Sequence, residues 1–210
     1  MDLRILLASV FLAIAVAGCF GRPARVKPPH ISAASAGAAA VADYDMDGDG
    51  AIAESELERA VPLKSSLDSV DTNQDGKLTA EEIAGRIEAW QKTRVGVLVL
   101  FSRVTLDGQP LDGATVTLVP APFLGDNVKP ATGVTGSTGM ALLTIDEQYR
   151  VAPDVKGAQC GWYLVRITKQ QDGQEMLDAR YNSETTLGCE VAPDREVAIK
   201  GLRLALTSGG

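Results

Sequence analysis

Two twelve-residue stretches with the same spacing of acidic residues constrain this chain most. The first begins at Asp45 and ends at Glu56, and the second begins at Asp71 and ends at Glu82. In both, side chains with oxygen atoms occupy positions 1, 3 and 5, a glycine occupies position 6, and a glutamate occupies position 12. Glycine suits a sharp turn because it adopts positive φ without steric cost. The repeated spacing predicts two copies of one ligand-holding loop, because acidic surface turns have no reason to share it.

The spacing matches the EF-hand pattern, in which aspartate, asparagine and glutamate oxygens surround calcium. Calcium is a hard cation that takes six to eight oxygen ligands at about 2.3–2.6 Å. Position 7 supplies a backbone carbonyl, and the glutamate at position 12 supplies both carboxylate oxygens. We therefore predict two bound Ca²⁺ ions. The predicted ligands are Asp45, Asp47, Asp49, Ala51 and Glu56 in loop one, and Asp71, Asn73, Asp75, Lys77 and Glu82 in loop two.

Apolar residues flank both loops at helical spacing, as the helices of an EF-hand pair require. At position 8, Ile52 and Leu78 are predicted to join the loops in a short β-bridge. The segment between the loops contains Pro62, so its helices should be short. We assign residues 39–92 to the EF-hand pair. Since the ligand carboxylates repel one another without a cation, we expect chelation to unfold part of this segment alone, while the β region stays folded.

The charge of the chain argues against nucleic acid as a partner. Residues 43–88 carry a net charge of −9, whereas the whole chain carries −7. Phosphate binding needs a basic face, and no such face is indicated.

The N-terminus has the pattern of an export signal. An apolar run from Ile5 to Val16 is shorter than the ~20 residues that span a bilayer, and Val16–Cys19 follows it. Val16-Ala17-Gly18-Cys19 resembles the lipobox of bacterial lipoproteins. The resemblance implies that residues 1–18 are a signal peptide and that Cys19 is acylated, which would anchor the protein to the cell envelope. An ordinary secretory signal with an incidental cysteine is the alternative.

The residue after Cys19 is Phe20, where aspartate would favour retention at the inner membrane of a two-membrane cell. We therefore expect an envelope protein that faces the periplasm or the exterior, with the outer membrane favoured if one is present. Residues 19–38 are predicted to form a flexible tether because their first part is rich in proline and basic residues.

Residues 94–207 change to a β pattern. Short apolar or alternating runs are separated by turn signals such as Asp107-Gly108-Gln109-Pro110. About seven such strands predict an all-β sandwich of two sheets, with a small barrel as the alternative. The predicted strands are 95–106, 114–119, 133–145, 162–168, 175–181 and 196–206. The fold class is thus multidomain α + β, with a small helical EF-hand pair before the sandwich.

Three segments of the β region carry a family resemblance. They are 104–119, with Asp107-Gly108-Gln109-Pro110, then 133–140, and then 161–167, which begins with Gly161-Trp162-Tyr163. Together they resemble the carboxypeptidase regulatory-like, transthyretin-like domain. The resemblance implies an Ig-like sandwich that serves as a binding, accessory or spacer module. It implies no peptidase activity.

Two cysteines remain after Cys19, namely Cys160 and Cys189. In an oxidising compartment such a pair predicts a disulfide. A pair of free thiols is the alternative, and a metal site is disfavoured because no further soft ligand is near in sequence.

The residues give no sign of catalysis. The only histidine, His30, lies in the predicted tether, so no nucleophile–histidine pair is indicated. We therefore expect no enzyme, but a calcium-binding, lipid-anchored envelope protein acting as a structural or binding module. The alternatives are a calcium-dependent docking partner or sensor and, less favoured, an accessory subunit of an envelope enzyme. Beyond the membrane that an acylated Cys19 would contact, the residues leave a protein partner open.

Overall fold

The computed structural model describes residues 26–209. The predicted signal peptide and Cys19 lie outside the described residues. Within the described part, no helix is both long and apolar enough to cross a membrane.

The first part of the chain is helical and contains both predicted loops. Its helices are α1 (Ala33–Tyr44), α2 (Glu54–Arg59), α3 (Val61–Lys64), α4 (Leu67–Val70) and α5 (Ala80–Thr93), and its strands are β1 (Ala51–Ala53) and β2 (Lys77–Thr79). The inner helices α2, α3 and α4 are short, and Pro62 lies in the first turn of α3, where proline is tolerated. Helix α1 begins before residue 39, so part of the predicted tether is helical.

The two loops are joined as their apolar position-8 residues predict. Strands β1 and β2 pair antiparallel, with Ile52 opposite Leu78, and both side chains are fully buried. They share a small core with buried residues of the flanking helices, among them Leu63, Val70 and Ile87. The bridge therefore fixes the two loops side by side.

The rest of the chain is a large, mainly antiparallel β region. Its strands are β3 (Leu100–Leu106), β4 (Gln109–Pro110), β5 (Thr115–Pro120), β6 (Ala131–Val134), β7 (Met140–Ile145), β8 (Gly161–Thr168), β9 (Gln170–Gln171), β10 (Gln174–Glu175), β11 (Gly188–Val191) and β12 (Leu202–Leu206), with helix α6 (Glu196–Lys200) before β12. The main strand order is β11-β8-β5-β6-β7-β3-β12, and β4 pairs with β3. All these neighbours are antiparallel except β12 and β3, which are parallel.

The interior of the β region is lined by alternate residues of its strands. Leu100 and Val104 of β3, Leu143 of β7, and Val165 and Ile167 of β8 are buried. The intervening positions on β3 and β12 are exposed, as expected for strands with one face in a core. Strands β11 and β12 end the path and do not pair with each other, so the described strands do not close into the small barrel considered as the alternative.

The predicted disulfide between Cys160 and Cys189 is wrong, because both are free, buried thiols in the structure. Cys189 on β11 lies opposite Tyr163 on β8. Cys160 lies immediately before β8, and its thiol donates a hydrogen bond to the backbone carbonyl of Val95 (3.9 Å). Both residues are therefore present as thiols, and no bond joins their sulfur atoms.

The helical part packs directly against the outer face of the β region. Trp90 of α5 contacts Trp162 of β8, with ring centroids 4.2 Å apart. Phe123 lies 5.9 Å from Trp162 and 6.4 Å from Tyr44 of α1. Gly188 of β11 lies so close to α3 that a Cβ there would stand 2.6 Å from the carbonyl oxygen of Val61. The buried apolar residues of both parts consequently form one continuous core.

Candidate metal centre

Loop one gathers three carboxylates into a small volume. Oxygen atoms of Asp45, Asp47 and Asp49 all lie within 4.8 Å of one another. The loop backbone produces this arrangement, since Asp45 accepts hydrogen bonds from the amides of Gly48 (2.7 Å) and Gly50 (2.9 Å). Gly50 at position 6 has φ +89°, which favours glycine, and the loop turns back on itself there. The predicted position-1, position-3 and position-5 ligands thus converge.

Glu56 closes loop one from the other side. Its carboxylate accepts hydrogen bonds from the backbone amides of Ala53 (2.9 Å) and Met46 (2.6 Å). These bonds hold the pKa of Glu56 below its usual range, because they stabilise the charged form. The side chain is buried although it is acidic. A buried carboxylate turned into an acidic loop is the geometry that a position-12 calcium ligand requires.

Loop two repeats the same hydrogen bonds. Asp71 accepts from the amides of Gln74 (2.7 Å) and Gly76 (2.9 Å), and Gly76 has φ +79°. Burial opposes the ionisation of Glu82, but hydrogen bonds from Thr79 and Thr72 outweigh it and lower the pKa of this carboxyl. In both loops, the position-1 aspartate therefore accepts hydrogen bonds from the backbone amides at positions 4 and 6, even though the loop sequences differ.

The two loops differ in the side chain at position 3, which is a carboxylate in loop one and an amide in loop two. In loop two this residue is Asn73, whose side-chain amide donates to Asp75 (3.0 Å) while its oxygen accepts from the Asp75 amide (3.0 Å). Within the described residues, the only close group of three potential metal-ligating acidic, histidine or cysteine side chains is that of loop one. Ala51 and Lys77, the predicted carbonyl ligands, are the first residues of β1 and β2 and follow the loop glycines directly.

One contact across the loops was not predicted from sequence. The ammonium of Lys77 in loop two lies 2.7 Å from a carboxylate oxygen of Asp49 in loop one. This hydrogen bond lowers the pKa of Asp49, because it stabilises the carboxylate. Lys77 was singled out only for its backbone carbonyl, and no local pattern indicates where its long side chain reaches.

The donor set suits calcium. All predicted side-chain ligand atoms of both loops are carboxylate or amide oxygens, which hard cations prefer, and no sulfur or imidazole nitrogen is among them. Three carboxylates crowd together in loop one and Lys77 contacts one of them, Asp49, so a divalent ion would relieve their mutual repulsion. The residues present therefore fit the cation that the spacing predicts.

Comparison with known families gives a match over part of the helical region. Residues 63–84 match the family model of the EF hand. The matched segment runs from α3 to the start of α5 and contains the whole of loop two. The comparisons with curated proteins and with solved structures gave no significant match. The EF-hand match and the aspartate cluster of loop one together indicate calcium binding.

Proposed function

We propose that this chain is a calcium-binding, lipid-anchored envelope protein that acts as a non-catalytic structural or binding module. The convergence of Asp45, Asp47 and Asp49 beside the buried Glu56 supports calcium binding most directly. Loop two has the same backbone hydrogen bonds and carries the EF-hand match, so we propose a second ion there.

Calorimetry of single-ligand variants tests the number of ions. Each of Glu56→Gln and Glu82→Gln removes a bidentate carboxylate from one loop. We expect two calcium ions per parent chain and one tightly bound ion per single variant. Glu88→Gln, on the exposed side of α5, removes the same charge outside both loops and serves as the control. A parent chain that binds no calcium at millimolar concentration would contradict the proposal.

The anchor is proposed from Val16–Cys19, which lies outside the described residues. Cys19 would carry diacylglycerol on its sulfur, and further acylation of its amino group would make the attachment stable. Mass spectrometry of the N-terminal peptide should therefore find a lipid on Cys19 and no residue before it. An unmodified Cys19 in the mature protein would contradict the anchor, and with it the proposed membrane location.

Packing of the EF-hand pair favours a structural role over a sensor role. Calcium sensors expose an apolar groove when they bind the ion. Here the apolar side of α5 is already covered, since Trp90 is buried against Trp162. We expect a hydrophobic dye to bind equally weakly with and without calcium. A calcium-dependent rise in dye fluorescence would instead favour the docking or sensor role.

For the β region we propose the two-sheet, transthyretin-like sandwich that its motifs resemble. Two groups of strands, β3-β4-β12 and β11-β8-β5-β6, are connected through β7, which pairs with both β3 and β6. Such a division suits two sheets that face each other over a shared core. An experimental structure with one open sheet and no facing layer would contradict this assignment.

A further inference from the structure

A buried acidic residue of the β region lies at the centre of the interface with the EF-hand pair. The Glu190 side chain on β11 is fully buried. One carboxylate oxygen accepts from Arg86 Nε (2.5 Å) and Trp90 Nε1 (2.8 Å), both on α5. The other oxygen accepts from Ser69 Oγ of α4 (2.7 Å) and lies 3.3 Å from Arg195 Nε.

Two further ion pairs extend this cluster to the protein surface. Arg86 forms two hydrogen bonds with Asp194, at 2.8 and 2.9 Å. Arg195 forms two with Asp68 of α4, at 2.8 and 3.0 Å. Planar, paired contacts of this kind fix the relative orientation of the groups as well as their distance. The β region therefore holds both α4 and α5 by charged side chains.

Helices α4 and α5 are the two helices that flank loop two. Ser69 lies two residues before Asp71, the position-1 ligand, and Arg86 lies one helical turn after Glu82, the position-12 ligand. The distance between these two ends of the loop decides whether Asp71 and Glu82 can reach one ion. The Glu190 cluster thus sets the spacing of the loop-two ligands without touching them.

The helices that flank loop one are not held by a charged cluster of this kind in the described part of the chain. These helices are α1 and α2, and within residues 26–209 neither makes a hydrogen bond or salt bridge to the β region. Apolar packing, such as Tyr44 against Phe123, is what connects α1 to that region. The two loops therefore differ in how strongly the β region fixes their helices.

We propose that Glu190 is a positioning residue for calcium in loop two, where it holds α4 and α5 at the spacing that Asp71 and Glu82 need. This inference rests on the proposed calcium function. It assigns part of the calcium affinity of loop two to a residue on β11, 104 positions after its partner Arg86. Loop one should not depend on Glu190.

Single-site backgrounds separate the two loops experimentally. In the full chain, Glu56→Gln leaves loop two as the tight site and Glu82→Gln leaves loop one. Adding Glu190→Gln should weaken calcium binding about tenfold in the Glu56→Gln background, the loss typical when a group that orients a ligand is removed. In the Glu82→Gln background the same change should alter affinity by less than about twofold, as for sites that do not interact.

Matched controls keep the test specific. Glu196→Gln removes the same charge from the exposed end of the β region, where Glu196 pairs with Lys200, and should change neither affinity. If Glu190→Gln does not fold, Arg195→Gln loosens the same cluster from its partly exposed side, with Lys200→Gln as its control. Circular dichroism melting establishes that each variant is folded before titration.

The outcomes discriminate between the proposals. A selective loss at loop two supports the positioning role. Equal losses at both loops would show general destabilisation, and no loss at either would show that the cluster does not act on the ligands; both results overturn the inference. Binding of calcium by the parent chain is required first, and its absence would refute the proposed function itself.

Discussion

The two buried cysteines show how a residue's environment decides its chemistry. Their even number and the predicted export favoured a disulfide between Cys160 and Cys189, but neither argument says how the fold places the two side chains. Burial raises the pKa of each thiol to about 12, with the nearby Glu190 carboxylate adding to the rise. Such thiols are held in the inert, protonated form.

We predict that neither cysteine reacts with an alkylating reagent in the folded protein at pH 8. With pKa values of about 12, only about one thiol in ten thousand is a thiolate at that pH, and the reagent also lacks access. Unfolding in denaturant without reductant returns the thiols to a pKa of about 8.5, so both should then react fully. Peptide mapping by mass spectrometry reads out each site. Labelling that requires a reductant would reveal a disulfide and contradict the structure.

Among individual residues, sequence spacing was informative only where the chemistry is local. The ligands of each loop lie within twelve positions, so the pattern identified them directly, together with the Ile52–Leu78 bridge. Glu190 and Arg86 are separated by 104 positions, and neither residue type suggests a partner. A single acidic residue in an apolar strand is equally compatible with an exposed edge, so its burial follows only from the fold.

Some secondary-structure elements of the β region were predicted from the sequence and others were not. Apolar or alternating runs correctly predicted β3, β5, β7 and β8. The predicted strand over 175–181 is wrong beyond its first residue, because the chain turns into the 3₁₀ helix Ala179–Tyr181. The short strand β11 was missed, although it carries Glu190, because a four-residue run that begins with glycine is too short for its alternation to be recognised. The N-terminal part of 196–206 forms α6, so only its second half is the predicted strand.

The contact between α1 and α5 leads to a prediction about two helical glycines. A Cβ on Gly37 of α1 would stand only 2.2 Å from the carbonyl oxygen of Ala80, whereas one on Gly85 of α5 would meet nothing within 4 Å. We expect Gly37→Ala to destabilise the protein by about 1–3 kcal/mol, because the helices must move apart. Gly85→Ala, the matched control, should stabilise it by up to about 1 kcal/mol through helix propensity.

Urea unfolding of the two glycine variants measures these changes. A lower free energy of unfolding for Gly37→Ala and a higher one for Gly85→Ala would establish that backbone contact between α1 and α5 leaves no room for a side chain at Gly37. If Gly37→Ala instead stabilised the protein as Gly85→Ala does, the close approach of the two helices would be wrong.

At the scale of the whole molecule, the sequence predicts two parts with separate stabilities. Its composition changes sharply near residue 94, and each part has its own apolar pattern. The structure shows a continuous core and a fully buried Glu190 whose partners come from both parts. Separating the parts would leave charged groups without their partners, which costs several kcal/mol. The earlier expectation, that chelation unfolds the helical segment alone, therefore needs revision.

We now predict that calcium stabilises the β region as well as the EF-hand pair. An ion present at a hundred times its dissociation constant adds about 2.7 kcal/mol per site to the free energy of unfolding. For a chain of this size that corresponds to a rise in melting temperature of about 5–10 °C per site.

Circular dichroism measures this rise separately for the helices and for the interface. Because the two parts unfold together, the melting temperature from the far-ultraviolet signal of the helices should shift by the same amount as that from the near-ultraviolet signal of the interface tryptophans Trp90 and Trp162. The Glu56→Gln/Glu82→Gln double variant, which lacks both bidentate ligands, should show almost no shift at the same calcium concentration. If chelation abolished the helical signal while the β region kept its melting temperature, the two parts would be energetically independent, and the Glu190 cluster would not couple them.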